Sequence, residues 1–234
     1  MVESGETKVL FDPFFVTGFG TYTELPIETK AALMKGTPPF DGIDAVFVSH
    51  AHGDHFSAPD MIAFLNLHKA VRLVAPQQAI DMIREDPDWS ETLVPRLSGI
   101  RLDYGDAPIE INMGPILASA VRIAHAGWPA PHRARVENIV FRVTLAPDVT
   151  VMHMGDADPN PVHYEAYAQH WQSQNTQTAF PPYWMLTSEI GRTILEDMAI
   201  KNRIGVHVPI NIPQDLRTSG EDYFSNTGEM REIK

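Results

Sequence analysis

Short apolar runs punctuate this chain at residues 8–11, 45–49, 71–75, 116–124, 138–145 and 150–154, and again at 184–186 and 204–208. Each is too short for a core helix and most are rich in Val and Ile, so the pattern predicts strands. Between several of them the apolar positions recur at helical spacing. Ser57 ahead of Pro59 and Asp60 has the form of a helix start, with Met61, Ile62, Phe64, Leu65 and Leu67 behind it; similar patterns run over 77–85, 163–172 and 188–199. Strands interleaved with helices predict an α/β chain with a sheet-rich interior and helices outside. The stretch 109–154 differs, being strand after strand, as in an antiparallel meander. Proline concentrates in connections at 37–39, 128–131 and 180–182, and the segment 214–234 is polar and charged, which predicts a surface extension.

Composition narrows the class. At 234 residues the chain fits a single domain, residues 1–234, with no Gly/Ser linker to divide it. Eighteen basic against 30 acidic residues give a formal charge of -12, which disfavours nonspecific binding to nucleic acid or anionic membrane. Cysteine is absent, so any metal must be held by His, Asp or Glu. No apolar stretch approaches the roughly 20 residues needed to span a bilayer, and the first residues lack an export signal, so a cytoplasmic location is expected.

The chemistry concentrates at residues 50–55. His50-Ala51-His52-Gly53-Asp54-His55 places four potential ligands within six residues, directly after the apolar run 45–48. Desolvating imidazoles and a carboxylate at the end of a buried strand is costly unless a metal compensates them. On extended chain His50 and His52 face the same way and can meet one ion; Gly53 then allows a turn that carries Asp54 and His55 to a second. Nitrogen with carboxylate oxygen suits zinc first, with manganese or iron as substitutes. Further candidates stand at later strand ends: His125, the pair Asp156 and Asp158, and His207. His153 alternates with the core face and is expected beside the site. His68, His163 and His170 fall on predicted helices and are expected to face solvent.

The order His50-x-His52-x-Asp54-His55, then His125, Asp156 and His207, resembles the metallo-β-lactamase superfamily of binuclear metallohydrolases over residues 9–209. Residues 137–141, 154–158 and Pro182-Tyr183-Trp184 are similar to its small, lactonase-like cytoplasmic branch. The resemblance implies a four-layer αβ/βα sandwich. It also implies that His50, His52 and His125 hold one ion, that Asp54, His55 and His207 hold the other, and that Asp156 bridges them, with Asp158 as the competing bridge. Members begin with a strand and hairpin, whereas only eight residues precede Val9, so the first outer strand is in doubt. Ser49 stands where Thr is common, a change expected to be harmless.

Two divalent ions sharing a water would yield a hydroxide at neutral pH, with no Ser or Cys nucleophile required. Asp54 has a second use in catalysis, handling a proton of the water or leaving group, and Asp12 is a candidate outer acceptor for a ligand histidine. Trp128, Tyr183 and Trp184 are candidate contacts for an apolar part of a substrate, and His132, Arg133 and Arg135 for an anionic one. The expected partner is a small molecule, with homo-oligomerisation open. The leading reading is hydrolysis of a small ester, lactone or phosphorylated compound. Alternatives are a phosphodiesterase or nuclease of the same fold, weak β-lactamase activity, or a non-catalytic metal-binding protein.

Overall fold

The computed structural model describes residues 1–233. The described residues form two compact units, one of residues 1–20 and 24–101, the other of residues 21–23 and 102–233.

The first unit is built on a five-stranded sheet. Its strands are β1 (Val2–Ser4), β2 (Thr7–Phe11), β3 (Ala45–Phe47), β4 (Arg72–Pro76) and β5 (Leu97–Ile100), hydrogen-bonded in that order. Only β1 and β2 pair antiparallel; the rest are parallel. The eight residues before Val9 therefore do make an outer strand. Gly5, at φ +60°, lets the chain reverse after three residues. Three helices connect the strands: α1 (Ile27–Lys35), α2 (Ala58–Leu67) and α3 (Gln77–Glu85). All of β3 is buried, as a central parallel strand must be. Val46 and Val48 share a core with Met61, Ile62, Phe64 and Leu65 of α2 and Ile80 and Ile83 of α3.

The second unit carries a six-stranded sheet. The strands β6 (Ile109–Met113), β7 (Ile116–Arg122), β8 (Ile139–Ala146) and β9 (Val149–His153) form the expected meander. β10 (Thr176–Phe180) and β11 (Ile200–Arg203) then add in parallel to β9. Short helices fill the connections: α4 (Pro131–Ala134), α5 (Val162–Glu165), α6 (Ala168–Gln172), α7 (Tyr183–Thr187), α8 (Glu189–Asp197) and α9 (Gln214–Thr218).

Two expected strands fall elsewhere. Residues 184–186 lie in α7: Pro182, at φ -62° and ψ 145°, sets an extended entry, and one helical turn then buries Met185 and Leu186. Residues 204–208 make only isolated bridges, and the strand is the polar edge segment before them. The helix expected over 163–172 divides at Ala166 and Tyr167 into α5 and α6. Within the segment expected as a polar extension, Leu216 is fully buried and Tyr223 packs on the second core. Among the described residues no helix is long and apolar enough to cross a membrane.

Candidate metal centre

β3 delivers the first ligand set. Its apolar run continues through buried Val48 and Ser49 to His50, which is fully buried, and the chain then turns. His55 N and Phe56 N both donate to His52 O, at 3.0 and 2.8 Å, closing a loop that presents His52 and Asp54 half-buried and His55 buried. The rings of His50 and His52 lie 4.8 Å apart, and those of His50 and His55 4.0 Å apart.

Asp12 organises this loop from the end of β2. Its Oδ1 accepts from Ser49 N at 2.7 Å; its Oδ2 accepts from Ser49 Oγ at 2.6 Å and faces His55 Nδ1 at 2.8 Å. These contacts assign tautomers. A carboxylate can only accept, so neutral His55 carries its proton on Nδ1. Ser49 gives its one hydroxyl proton to Asp12, so its oxygen accepts from His50 Nδ1 at 3.1 Å. In both rings Nε2 keeps the lone pair, as a metal ligand requires. The sequence named Asp12 as a candidate acceptor. It treated Ser49 as neutral, yet Ser49 is the link between Asp12 and His50.

The second unit brings together His125, Asp156 and His207. His125 follows β7, and its Nδ1 donates to Ala126 O at 2.8 Å, so Nε2 again keeps the lone pair. Asp156 follows β9, with Gly155 at φ 55° making the turn. Asp156 Oδ2 stands 3.4 Å from His125 Nε2 and 3.3 Å from His207 Nε2. The carboxylate is thus shared between two imidazoles from different elements. Its backbone is fixed on both sides, since Asp156 N donates to Asn138 Oδ1 at 3.0 Å and Asp156 O accepts from Ala126 N at 2.7 Å. Asn138 is fully buried and has no role assigned from the sequence; an amide directly ahead of the apolar run Ile139-Val140-Phe141 is the available signal. The Asp158 carboxylate accepts from Gly127 N at 3.1 Å and Asn160 N at 3.1 Å, bracing the loops beside the candidate ligands.

His207 sits at φ 58°, a left-handed conformation unusual outside glycine. Aromatic neighbours hold it there. Tyr22 stacks on its ring at 3.9 Å, and Trp184 meets its edge at 5.4 Å while donating Nε1 to Ala157 O at 3.0 Å. Trp184, a candidate substrate contact, therefore touches a candidate metal ligand. Tyr183 is half-buried beside it, its phenol pushed up by burial and by Asp215. Trp128 is partly exposed and stands edge-on to His163 at 4.8 Å. His132 and Arg135 are exposed near it, whereas Arg133 folds over Gly127, which has φ +90°.

Three histidines expected to face solvent do not. His68 Nε2 contacts Met34 O at 3.0 Å, His163 lies 3.7 Å from Asp158 with its basicity lowered by burial, and His170 lies between Ser119 and Arg142. His68 caps the end of α2 rather than lying within it, and α5 and α6 are short, so more of each ring is covered than regular helical spacing implies. His153 is buried on β9, its Nδ1 accepting from Gly155 N at 3.3 Å.

The donor chemistry fits a cation. Where Nδ1 is committed as a donor, as in His125, a neutral Nε2 facing a carboxylate oxygen at 3.4 Å sets two acceptors against each other, a contact that a cation or a proton must compensate.

Comparison with known proteins gives the fold its place. A family model described as a beta-lactamase superfamily domain matches residues 7–186. No curated protein matches the chain by sequence. A possible metal-dependent hydrolase from Veillonella parvula DSM 2008 is similar in structure, with a TM-score of 0.63 at 15% identity, covering 93% of this chain and 87% of that one. An isothiocyanate hydrolase from Delia radicum gut bacteria superposes with a TM-score of 0.50 at 13% identity, over 75% of this chain and 68% of that one.

Proposed function

The chain belongs to the β-lactamase superfamily, a superfamily of metal-dependent hydrolases, and we propose that it works within it as a binuclear metallohydrolase on a small ester, lactone or phosphorylated substrate. One observation carries the reading: Asp156 is set between two imidazole Nε2 atoms, an arrangement made for cations. In this reading His50, His52 and His125 hold one ion and Asp54, His55 and His207 the other, with Asp156 shared between them. Imidazole and carboxylate donors without thiolate favour zinc, with manganese and iron as substitutes.

Two such ions would supply Lewis acidity toward a substrate oxygen and lower the pKa of water toward neutrality. The chain's own part is positioning. Asp12 and Ser49 keep Nδ1 of His55 and His50 protonated and leave the lone pair on Nε2, and Ala126 O does so for His125. Asn138 and Ala126 clamp the Asp156 backbone, so the shared carboxylate holds still while charge develops. In this reading Asp54, half-buried on the loop, would take or return a proton.

Metal analysis after reconstitution should give two equivalents of divalent metal; fewer than one sinks the binuclear reading. Asp156→Ala should abolish hydrolysis and shed metal, whereas Asp158→Ala should retain metal. A panel of lactones, aryl phosphodiesters and a chromogenic cephalosporin, run on zinc- and manganese-loaded protein, identifies the substrate class. A flat response across the panel favours a non-catalytic metal-binding protein.

A further inference from the structure

The ligand loop in the first unit is covered by a segment that the reading above leaves without a role. Residues 13–23 carry no charged side chain, in a chain where charged residues make up 21%. Phe14 anchors the segment in the core. The chain then rises and binds the ligand loop directly: Val16 N and Thr17 N both donate to Gly53 O, at 2.7 and 3.2 Å. Gly53 lies between the ligand candidates His52 and Asp54. A Cβ at Gly53 would meet Val16 Cγ2 at 3.1 Å and Thr17 Cγ2 at 3.4 Å, and Phe19 Cζ would stand 3.9 Å away.

The tips of these side chains reach over the loop, yet the residues themselves face water. Val16 is 63% and Phe19 64% exposed. Phe19 also sits at φ 51°, left-handed for a bulky aromatic, with its N–H donating to Thr17 Oγ1 at 2.9 Å and Gly20 following at φ +66°. A single exposed apolar residue needs no explanation. Two of them, one on a strained backbone, on an uncharged segment bonded to the centre of a ligand motif, form a surface continuous with that motif.

We infer that Val16 and Phe19 form an apolar lip that binds the acyl or alkyl portion of an uncharged ester or lactone while the ligand loop beneath them engages its carbonyl. The inference rests on the hydrolase reading for the reaction and deepens it, since an uncharged apolar lip selects against a phosphorylated substrate. No cation on this segment is available to an anionic one.

The test separates the lip from the reaction. Acetohydroxamate and octanohydroxamate share a metal-binding head and differ only in chain length. On zinc-loaded protein, calorimetry should show octanohydroxamate binding at least about tenfold tighter, because the extra methylenes leave water. In the double variant Val16→Ser with Phe19→Asn, chosen because Asn tolerates the left-handed backbone, that advantage should fall to about threefold or less. Acetohydroxamate affinity and metal content should stay put. Equal affinity for the two chains in the wild type, an advantage that survives in the variant, or equal weakening of both probes would overturn the inference. A protein that shows the chain-length effect but hydrolyses no ester or lactone keeps the lip and loses the hydrolase reading. A hydrolase indifferent to chain length does the reverse.

Discussion

Asp12 illustrates how much one carboxylate can decide. It lies at φ 44°, a conformation Asp and Asn tolerate better than most residues, and from there its two oxygens receive three contacts from Ser49 and His55. Removing its charge weakens the acceptor facing His55 Nδ1 and loosens the Ser49 link to His50. Asp12→Asn keeps size and backbone preference, so the loss should appear in metal affinity, by about ten- to a hundredfold, as for other partners that orient metal ligands. Competition with a chromogenic chelator measures it. An unchanged affinity would show that the loop holds its histidines without Asp12. The candidate ligands at 50–55 stand out in the sequence because titratable groups directly after an apolar run are chemically expensive. Ser49, Asn138 and Tyr22 do not, because a hydroxyl, an amide and a phenol in apolar surroundings have many ordinary explanations. Only the contacts, Ser49 Oγ on His50, Asn138 Oδ1 on Asp156 N and Tyr22 on His207, single them out.

Among the elements, α2 shows where local sequence suffices. Ser57 accepts from Asp60 N at 3.4 Å and donates to Asp60 Oδ2 at 2.9 Å, and the helix starts at the next residue, as the Ser-x-Pro-Asp pattern predicts. Ser57 is buried, so water cannot replace its oxygen. Ser57→Ala should cost about 1 kcal/mol, seen as a fall of a few degrees in the unfolding midpoint. No change in the midpoint would mean the Asp60 side chain caps the helix alone. Other elements depend on tertiary context. β10 reads Thr-Gln-Thr-Ala-Phe, and its Thr176 and Thr178 are buried although their type suggests surface. β11 reads Ile-Lys-Asn-Arg, an edge strand with Lys201 and Asn202 exposed, and nothing in its apolar pattern marks a strand. The run 184–186 was apolar enough for a strand and became a helix because three residues carry no period.

At the scale of the whole molecule, stability should depend on pH through histidines that the folded chain keeps neutral. His170 is the sharpest case. Arg142, buried on β8, donates to the carbonyls of His170, Trp171 and Gln174 at 3.0, 3.4 and 3.4 Å, capping the end of α6, and its other nitrogen lies 3.5 Å from His170 Nδ1. Burial first, and then the neighbouring guanidinium, hold His170 down to about 4, from an ordinary value of 6.5. His163 moves in the same direction, for burial. The unfolded chain therefore binds a proton that the folded chain refuses between those two values, and stability must fall as pH drops from about 6.5 toward 4. His170→Gln removes the titrating group while leaving a polar side chain beside Ser119 and Arg142. The other titratable groups are common to both proteins, so their effect cancels when the two are compared. Between about pH 7 and 4 the wild type should lose more of its unfolding midpoint than His170→Gln, and the two curves should converge toward the acid end. Parallel curves would mean that Arg142 yields its place and lets His170 take the proton in the folded state.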